Sequence, residues 1–231
     1  MIHFLDLGHT PIFEQLKLEE ALLRGTDWNF CIVNRGSPRA IVMGISGKPE
    51  VLLDLKKVQK DKIPVIKRFS GGGTVIVDED TLFITFILSK NAVPIAAFPE
   101  PILRWSGDIY EKSWKIPGFH VEENDYAIGP QKCGGNAQYI QKDRWLHHTS
   151  FLWDFKNENM VYLTMPLKQP RYRQNRNHLD FLCRLNAFGS KEELIAALQV
   201  ELIKRFSVKP ISINELTWKP HRESVQLVLN S

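Results

Sequence analysis

Residues 67–78 read KRFSGGGTVIVD: a basic pair, an aromatic, a serine, three consecutive glycines and a largely β-branched apolar run. Each glycine loses more backbone freedom on folding than any other residue, so three in a row are costly in an ordered chain. The cost is offset where the backbone approaches a ligand closely or takes φ > 0 between two strands. Arg68 and Ser70 add a planar cation and a hydroxyl to whatever the bare amides of Gly71, Gly72 and Gly73 hold, a set suited to a phosphate or carboxylate. A plain flexible hairpin turn has the same composition, so this stretch alone leaves both readings open. Two phosphate loops are excluded: no Gly-Lys-Ser/Thr follows at P-loop spacing, and no G-x-G-x-x-G opens a helix.

Outward from the glycines, residues 64–68 read as a strand entering them, and 74–77 and 82–88 as strands leaving, with 78–80 as a hairpin turn. Upstream, 2–7 is a short strand. Thr10 and Pro11 have the N-cap and N1 chemistry of a helix that runs to Leu23 and closes at Gly25. Residues 29–34 and 40–43 are strands joined by an Arg-Gly-Ser-Pro turn, and 54–60 is helical. Downstream, 97–115 is an amphipathic helix ended by Pro117, and 119–122 and 126–128 are short strands. Residues 191–206 form a helix capped by Ser190, before strand-like segments at 210–216 and 223–229. Strands and helices alternate without a strict βαβ rhythm, which predicts an α+β fold with a mostly antiparallel sheet. A chain of 231 residues without repeat or linker is expected to be one domain, residues 1–231.

A second glycine segment, Lys132-Cys133-Gly134-Gly135-Asn136, precedes a strand expected from about 147 to 155. It repeats the chemistry of the first: a cation beside glycines that admit a ligand to the backbone. Lysine is a mobile point charge suited to following an anion through a reaction, and Asn136 and Gln138 can add directional donors. Two such segments in one small domain suggest two walls of one pocket.

At these residues the sequence resembles the lipoate–protein ligase family, within the wider group of biotin and lipoate ligases and octanoyltransferases. The resemblance rests on R-x-S-G-G-G-x-V at 68–75, N-D at 124–125, K-x-x-G-N-A-Q at 132–138 and H-H-T-S at 147–150. It implies a catalytic domain like that of class II aminoacyl-tRNA synthetases and biotin ligases, with mostly antiparallel mixed sheets flanked by helices. It implies an ATP-dependent ligase that activates lipoate or octanoate as acyl-AMP and passes it to a lysine of a lipoyl domain. The acceptors implied are the E2 subunits of 2-oxoacid dehydrogenases or the glycine cleavage H protein. In that reading Arg68, Ser70, Gly71, Gly72, Gly73, Val75, Gly135, Asn136, Ala137 and His148 bind the lipoyl and adenylate groups. Lys132 is catalytic, and Asp125, with Asn124, lies near the nucleotide and its Mg²⁺. Val75, Phe83 and Phe151 are expected to line the slot for the apolar tail.

The sequence departs from the family pattern at Val77, where histidine is common, at Gly134, where serine is common, and at Cys133 and Tyr139, usually aliphatic and sometimes arginine. A C-terminal accessory domain that many ligases carry is not apparent after Phe206. A transferase using preformed acyl-AMP or acyl-protein, or an enzyme that adenylates only with a separate accessory partner, is therefore the alternative. A lipoate or nucleotide binder without turnover is a third reading. Biotin ligation is disfavoured because its basic glycine loop is missing.

Composition narrows the classes further. Lys plus Arg number 30 against 26 Asp plus Glu, too small an excess to indicate nucleic acid. Three cysteines with no C-x-x-C pair indicate neither a zinc ribbon nor a disulfide framework, and free thiols fit a reducing cytoplasm. No stretch reads as a membrane span or signal peptide. His147 and His148 should point to opposite faces of a strand, one packed and one exposed. Cys133 or Cys183 as an acyl nucleophile is a weaker reading than the lysine. The basic run at 170–176 is expected to be a solvated loop or a docking surface for an acidic domain.

Overall fold

Residues 81–89, TLFITFILS, form a strand with hardly any exposed position, and its two alternating faces define the layers of the protein. The computed structural model describes residues 1–166 and 169–229. Its strands are β1 (Ile2–Asp6), β2 (Phe30–Asn34), β3 (Ala40–Met43), β4 (Val65–Lys67), β5 (Val75–Val77), β6 (Thr81–Ser89), β7 (Phe119–Glu122), β8 (Asp125–Ile128), β9 (Gln131–Ile140), β10 (Arg144–Leu152), β11 (Val208–Ile211) and β12 (Gln226–Leu229). Its helices are α1 (Ile12–Gly25), α2 (Pro49–Leu52), α3 (Leu55–Lys60), α4 (Pro99–Trp114), α5 (His178–Phe181) and α6 (Lys191–Arg205).

Eight strands form one sheet in the order β11-β1-β2-β6-β10-β9-β8-β7, and four form a second in the order β12-β4-β3-β5. Pairings are antiparallel except β1 with β2 and β11, and β3 with β4. The α+β expectation is thus met. The large sheet ends at β11 on one side and β7 on the other. Pro210 of β11 lies opposite Phe4, with Lys209 and Pro210 exposed. His120 and Glu122 occupy β7, 3.5 Å apart.

On one face of the large sheet Leu82, Ile84, Phe86 and Leu88 pack with Ile102, Ile109 and Tyr110 of α4 and Leu194, Leu198 and Leu202 of α6. On the other face Phe83 and Ile87 meet Leu16, Leu22 and Leu23 of α1, together with Val42, Ile66, Phe69 and Val77 around the small sheet. Each fully buried Leu, Ile or Phe contributes about 1.5–3 kcal/mol of transfer free energy, so the double-sided β6 anchors both layers. The outer face of the small sheet is covered by α2, α3 and residues 157–163 through Leu53, Val58 and Tyr162. No helix among the described residues is long and apolar enough to cross a membrane.

Local signals differ from the expectations in three places. Thr10 does not cap α1: its hydroxyl donates to the Leu7 carbonyl, and Pro11 occupies the cap position. The hydroxyl of Ser37, from the β2–β3 turn, accepts from the Ile12 amide at 2.9 Å instead. By contrast, Ser190 and Glu193 make the full capping box of α6. The second glycine segment is not a loop at all, since β9 runs straight through it for ten residues. Residues 170–176 are only partly the solvated loop expected: Arg171, Gln174 and Asn175 are exposed, but Arg173 is buried and Arg176 donates to the Pro130 carbonyl.

Candidate active site

The first glycine segment connects β4 to β5 and is drawn tight by its own arginine. Arg68 is 4% exposed. Its Nε and Nη2 donate to the Gly71 carbonyl at 3.2 and 2.7 Å, and Nη2 also donates to Gly73 at 2.9 Å. Ser70 is buried, and its carbonyl accepts from the Ile45 amide. Gly72 has φ +105°, which demands glycine, and a Cβ there would meet the Arg68 Nη2 at 2.7 Å and displace it. Burial lowers the Arg68 pKa to about 10, which leaves it charged at neutral pH. No carboxylate among the described residues pairs with it. A buried, unneutralised cation behind three open amides favours an incoming anion.

The second wall is β9, and a β-bulge sets its geometry. Tyr126 pairs with Gly134 and Ala127 with Lys132, so Cys133 is the extra residue. Strict alternation would put Lys132 and Gly135 on opposite faces; the bulge brings them to the same one. A Cβ on Gly135 would lie 3.2 Å from Lys132 Nζ and 3.9 Å from Asp125 Oδ1. Lys132 Nζ lies 2.7 Å from Asp125 Oδ1, and the Tyr172 hydroxyl donates to Asp125 Oδ2 at 3.0 Å. Burial, then the Asp125 charge, raises the Tyr172 pKa, so its hydroxyl stays a donor. Tyr172 is placed by its amide, which donates to Glu123 Oε1, and by its ring against Phe181.

The two walls meet. A Cβ on Gly72 would lie 3.8 Å from the Asn136 carbonyl oxygen, so the tip of the glycine loop abuts β9 within a few residues of Lys132. Arg68, Ser70, Gly71, Gly72, Gly73, Gly135 and Lys132, with Asp125, therefore gather at one junction. Asn136 contributes only backbone to it. Its side chain faces the other side of the sheet, donating to the Asn124 carbonyl, while Gln138 donates to Pro99 in α4. The expected side-chain donors of Asn136 and Gln138 thus point away.

Ala137 lies on the face of Gly135, opposite His148 of β10. Both histidines are buried, at 0% for His147 and 8% for His148, which corrects the expectation of one exposed ring. They do point to opposite faces. His147 Nε2 lies 2.7 Å from the Tyr126 hydroxyl and 3.0 Å from Ser106 Oγ, and burial lowers its pKa to about 3. His148 Nδ1 lies 2.9 Å from Glu19 Oε1 and 3.1 Å from the Thr85 hydroxyl. Glu19, fully buried in α1, also accepts from Gln15 and from Thr85.

Val75 and Phe83 share one apolar cluster with Phe69 and Tyr139 beneath the junction. Phe151 does not line that slot. It belongs to the opposite face, where its ring would lie 2.6 Å from a Cβ on Gly134. Sequence reading missed Glu19, Thr85 and Tyr172. Glu19 did leave a signal, a carboxylate inside the apolar stripe of α1. Tyr172 left none, since a turn residue some forty positions from Lys132 carries no periodicity.

No group of three His, Cys, Asp or Glu side chains able to hold a metal occurs among the described residues. What the junction offers is two cations, exposed glycine amides and one carboxylate, beside an apolar cluster. That is equipment for binding and polarising an anionic head group on a greasy tail.

Residues 11–207 match the family described as the lipoyl protein ligase A/B catalytic domain. A Plasmodium falciparum protein named inactive lipoate–protein ligase 2 is 30% identical, over 79% of this chain and 62% of its own length. A Mycoplasma genitalium protein named probable lipoate-protein ligase A is 32% identical over 49% of this chain and 34% of its own. The chain therefore spans less than two thirds of these relatives. Among solved structures, a lipoate-protein ligase A bound with ATP superposes with a TM-score of 0.75 at 19% identity, covering 92% of this chain and 89% of that one. A bi-partite lipoate protein ligase from Thermoplasma acidophilum, described together with its E2 lipoyl domain, superposes with a TM-score of 0.75 at 22% identity, covering 93% and 88%. The fold is that of the lipoate ligases. With its two cation-bearing glycine walls in place on that fold, the chain belongs to the lipoyl protein ligase A/B catalytic-domain family.

Proposed function

We propose that this chain is a single catalytic unit that activates lipoate or octanoate with ATP as acyl-AMP and transfers the acyl group to a lysine of a lipoyl domain. The observation that supports this best is the approach of the Gly72 tip to β9 at Asn136, which brings the loop that carries Arg68 against the strand that carries Lys132. In the first half-reaction a carboxylate oxygen attacks the α-phosphorus, forming acyl-AMP and releasing pyrophosphate. In the second, the acceptor amine attacks the acyl carbonyl and AMP leaves. No protein nucleophile is required, so catalysis is positioning and charge stabilisation.

Arg68 and the loop amides hold the anionic head, while Val75, Phe83 and Ala137 line the path of the apolar tail. Lys132 offsets the repulsion between carboxylate and α-phosphate, then the charge developing on the carbonyl oxygen. To do so its ammonium turns from Asp125, which Tyr172 keeps in place. A lone carboxylate such as Asp125 would hold Mg²⁺ only in company with phosphate oxygens of the nucleotide, and the ion would there supply charge neutralisation. Acceptors are E2 lipoyl domains or the glycine cleavage H protein, in the cytoplasm or an organelle matrix, with no nucleic acid or membrane involved.

A second reading is transfer from preformed acyl-AMP or acyl-protein, or adenylation only with an accessory partner. The relative named as an inactive ligase and the Lys132–Asp125 pair, which occupies the ammonium, favour keeping it. Pyrophosphate release from lipoate and Mg-ATP separates the two. A ligase releases it unaided, a partner-dependent enzyme only with its partner, and a transferase never.

Intact mass of an apo lipoyl domain then reports transfer. Lys132→Ala should lose at least about a hundredfold in transfer rate, the scale of removing one oxyanion donor; an unchanged rate removes Lys132 from the chemistry.

A further inference from the structure

The start of β9 has a neighbour on its free side. Leu182 bridges Lys132 in parallel register, and the Cys183 amide donates to the Lys132 carbonyl at 2.9 Å. Gln131 Nε2 clamps the same segment through the Asp180 and Leu182 carbonyls. One step along that register, Cys183 stands across from Cys133. Adjacent strands lie about 4.8 Å apart, within the roughly 4.4–6.8 Å Cα span that a disulfide bridges. Both thiols are free, and Cys183 packs against the cluster that contains Cys133.

We propose that Cys133 and Cys183 are a dithiol modification site, closing to a disulfide next to Lys132 when the protein meets a disulfide oxidant such as oxidised glutathione. The two positions divide the labour. Cys133 is fully buried at the bulge, whereas Cys183 is only partly buried. The Cys183 thiol donates to the Gln131 carbonyl at 3.6 Å, at the partly exposed margin, while burial raises the Cys133 pKa. Cys183 is therefore the attacking thiolate and Cys133 the resolving thiol.

In the first step the Cys183 sulfur displaces one glutathione thiolate and forms a mixed disulfide. In the second, the Cys133 sulfur attacks Cys183, releasing the other glutathione and giving up its proton. Two protein thiols are oxidised and one glutathione disulfide is reduced to two thiols. The bond ties the segment after α5 to β9. Phe181 of α5 supports the Tyr172 ring, so the cross-link fixes the support of the Asp125–Lys132 pair.

The test uses the intact protein and needs no catalytic activity, so it stands apart from the proposed reaction. Native protein is incubated with oxidised glutathione and mapped as peptides without reduction. The expected product has lost two hydrogens, joins the peptides of Cys133 and Cys183, keeps Cys31 free and reverts with dithiothreitol. In Cys133→Ala, with folding checked by circular dichroism, the glutathione adduct on Cys183 should persist at least about a hundredfold longer than in wild type, because the intramolecular resolving step is gone. A wild-type adduct as durable as that of the variant, or three unreacted thiols in the native protein, overturns the proposal.

Discussion

Lys132 owes its position to one inserted residue. The bulge at Cys133 turns its ammonium onto the face of Gly135, and Asp125 and Tyr172 complete a chain of three polar side chains there. Tyr172→Phe removes the donor to Asp125 Oδ2 and leaves the ring packing. Hydrogen bonds to charged groups contribute about 1.5–3 kcal/mol, so transfer should slow by roughly tenfold with the lipoate KM little changed; equal kcat in the variant argues against a positioning role. The lysine itself was legible as a cation beside glycines, but its face was not, because a register shift exists only once β8 and β9 have paired. His147 gives a prediction in pH. Its folded pKa of about 3 lies below the usual 6.5, so between these values the unfolded chain binds the extra proton. Stability is therefore full above about pH 6.5 and falls as pH drops, by up to about 1.4 kcal/mol per unit from this group. In His147→Gln, denaturation between pH 6.5 and 5 should depend on pH by about one proton less than in wild type; identical slopes refute the assignment.

Strand β9 shows why a glycine-rich segment is not always a loop. Gly134 and Gly135 have poor strand propensity, yet both edges of β9 are paired, to β8 and to β10, and those ladders outweigh propensity. Gly134 is required because the Phe151 ring fills the space above it. Gly134→Ala should destabilise by about 1–3 kcal/mol through overpacking, seen as a lower urea midpoint at unchanged slope; a variant as stable as wild type would show that the ring yields freely. Helix starts teach the same lesson. Ser190 was legible because its partner Glu193 is three residues away. The true hydroxyl at α1 belongs to Ser37, which no window around Thr10 contains.

The arrangement of layers explains what the periodic patterns could and could not reveal. Buried runs such as β6 were readable as strands. The partition of the strands between two sheets was not, since it depends on pairings such as β12 with β4 that join distant segments. Glu20 illustrates such long-range joining: fully buried, it accepts from the amides of Ser224 and Val225 and pairs with Arg24, fastening the chain just before β12. Glu20→Gln should raise hydrogen exchange across residues 224–229 and cost about 1.5–3 kcal/mol; unchanged protection there would locate the fastening elsewhere.

The outermost strands of the large sheet carry a final consequence. Pro210 has no amide hydrogen to offer, Lys209 presents an ammonium alongside it, and the far margin bears the His120–Glu122 pair. A second molecule arriving sideways finds an incomplete ladder at one rim and charge at the other, so growth by strand addition is self-limiting.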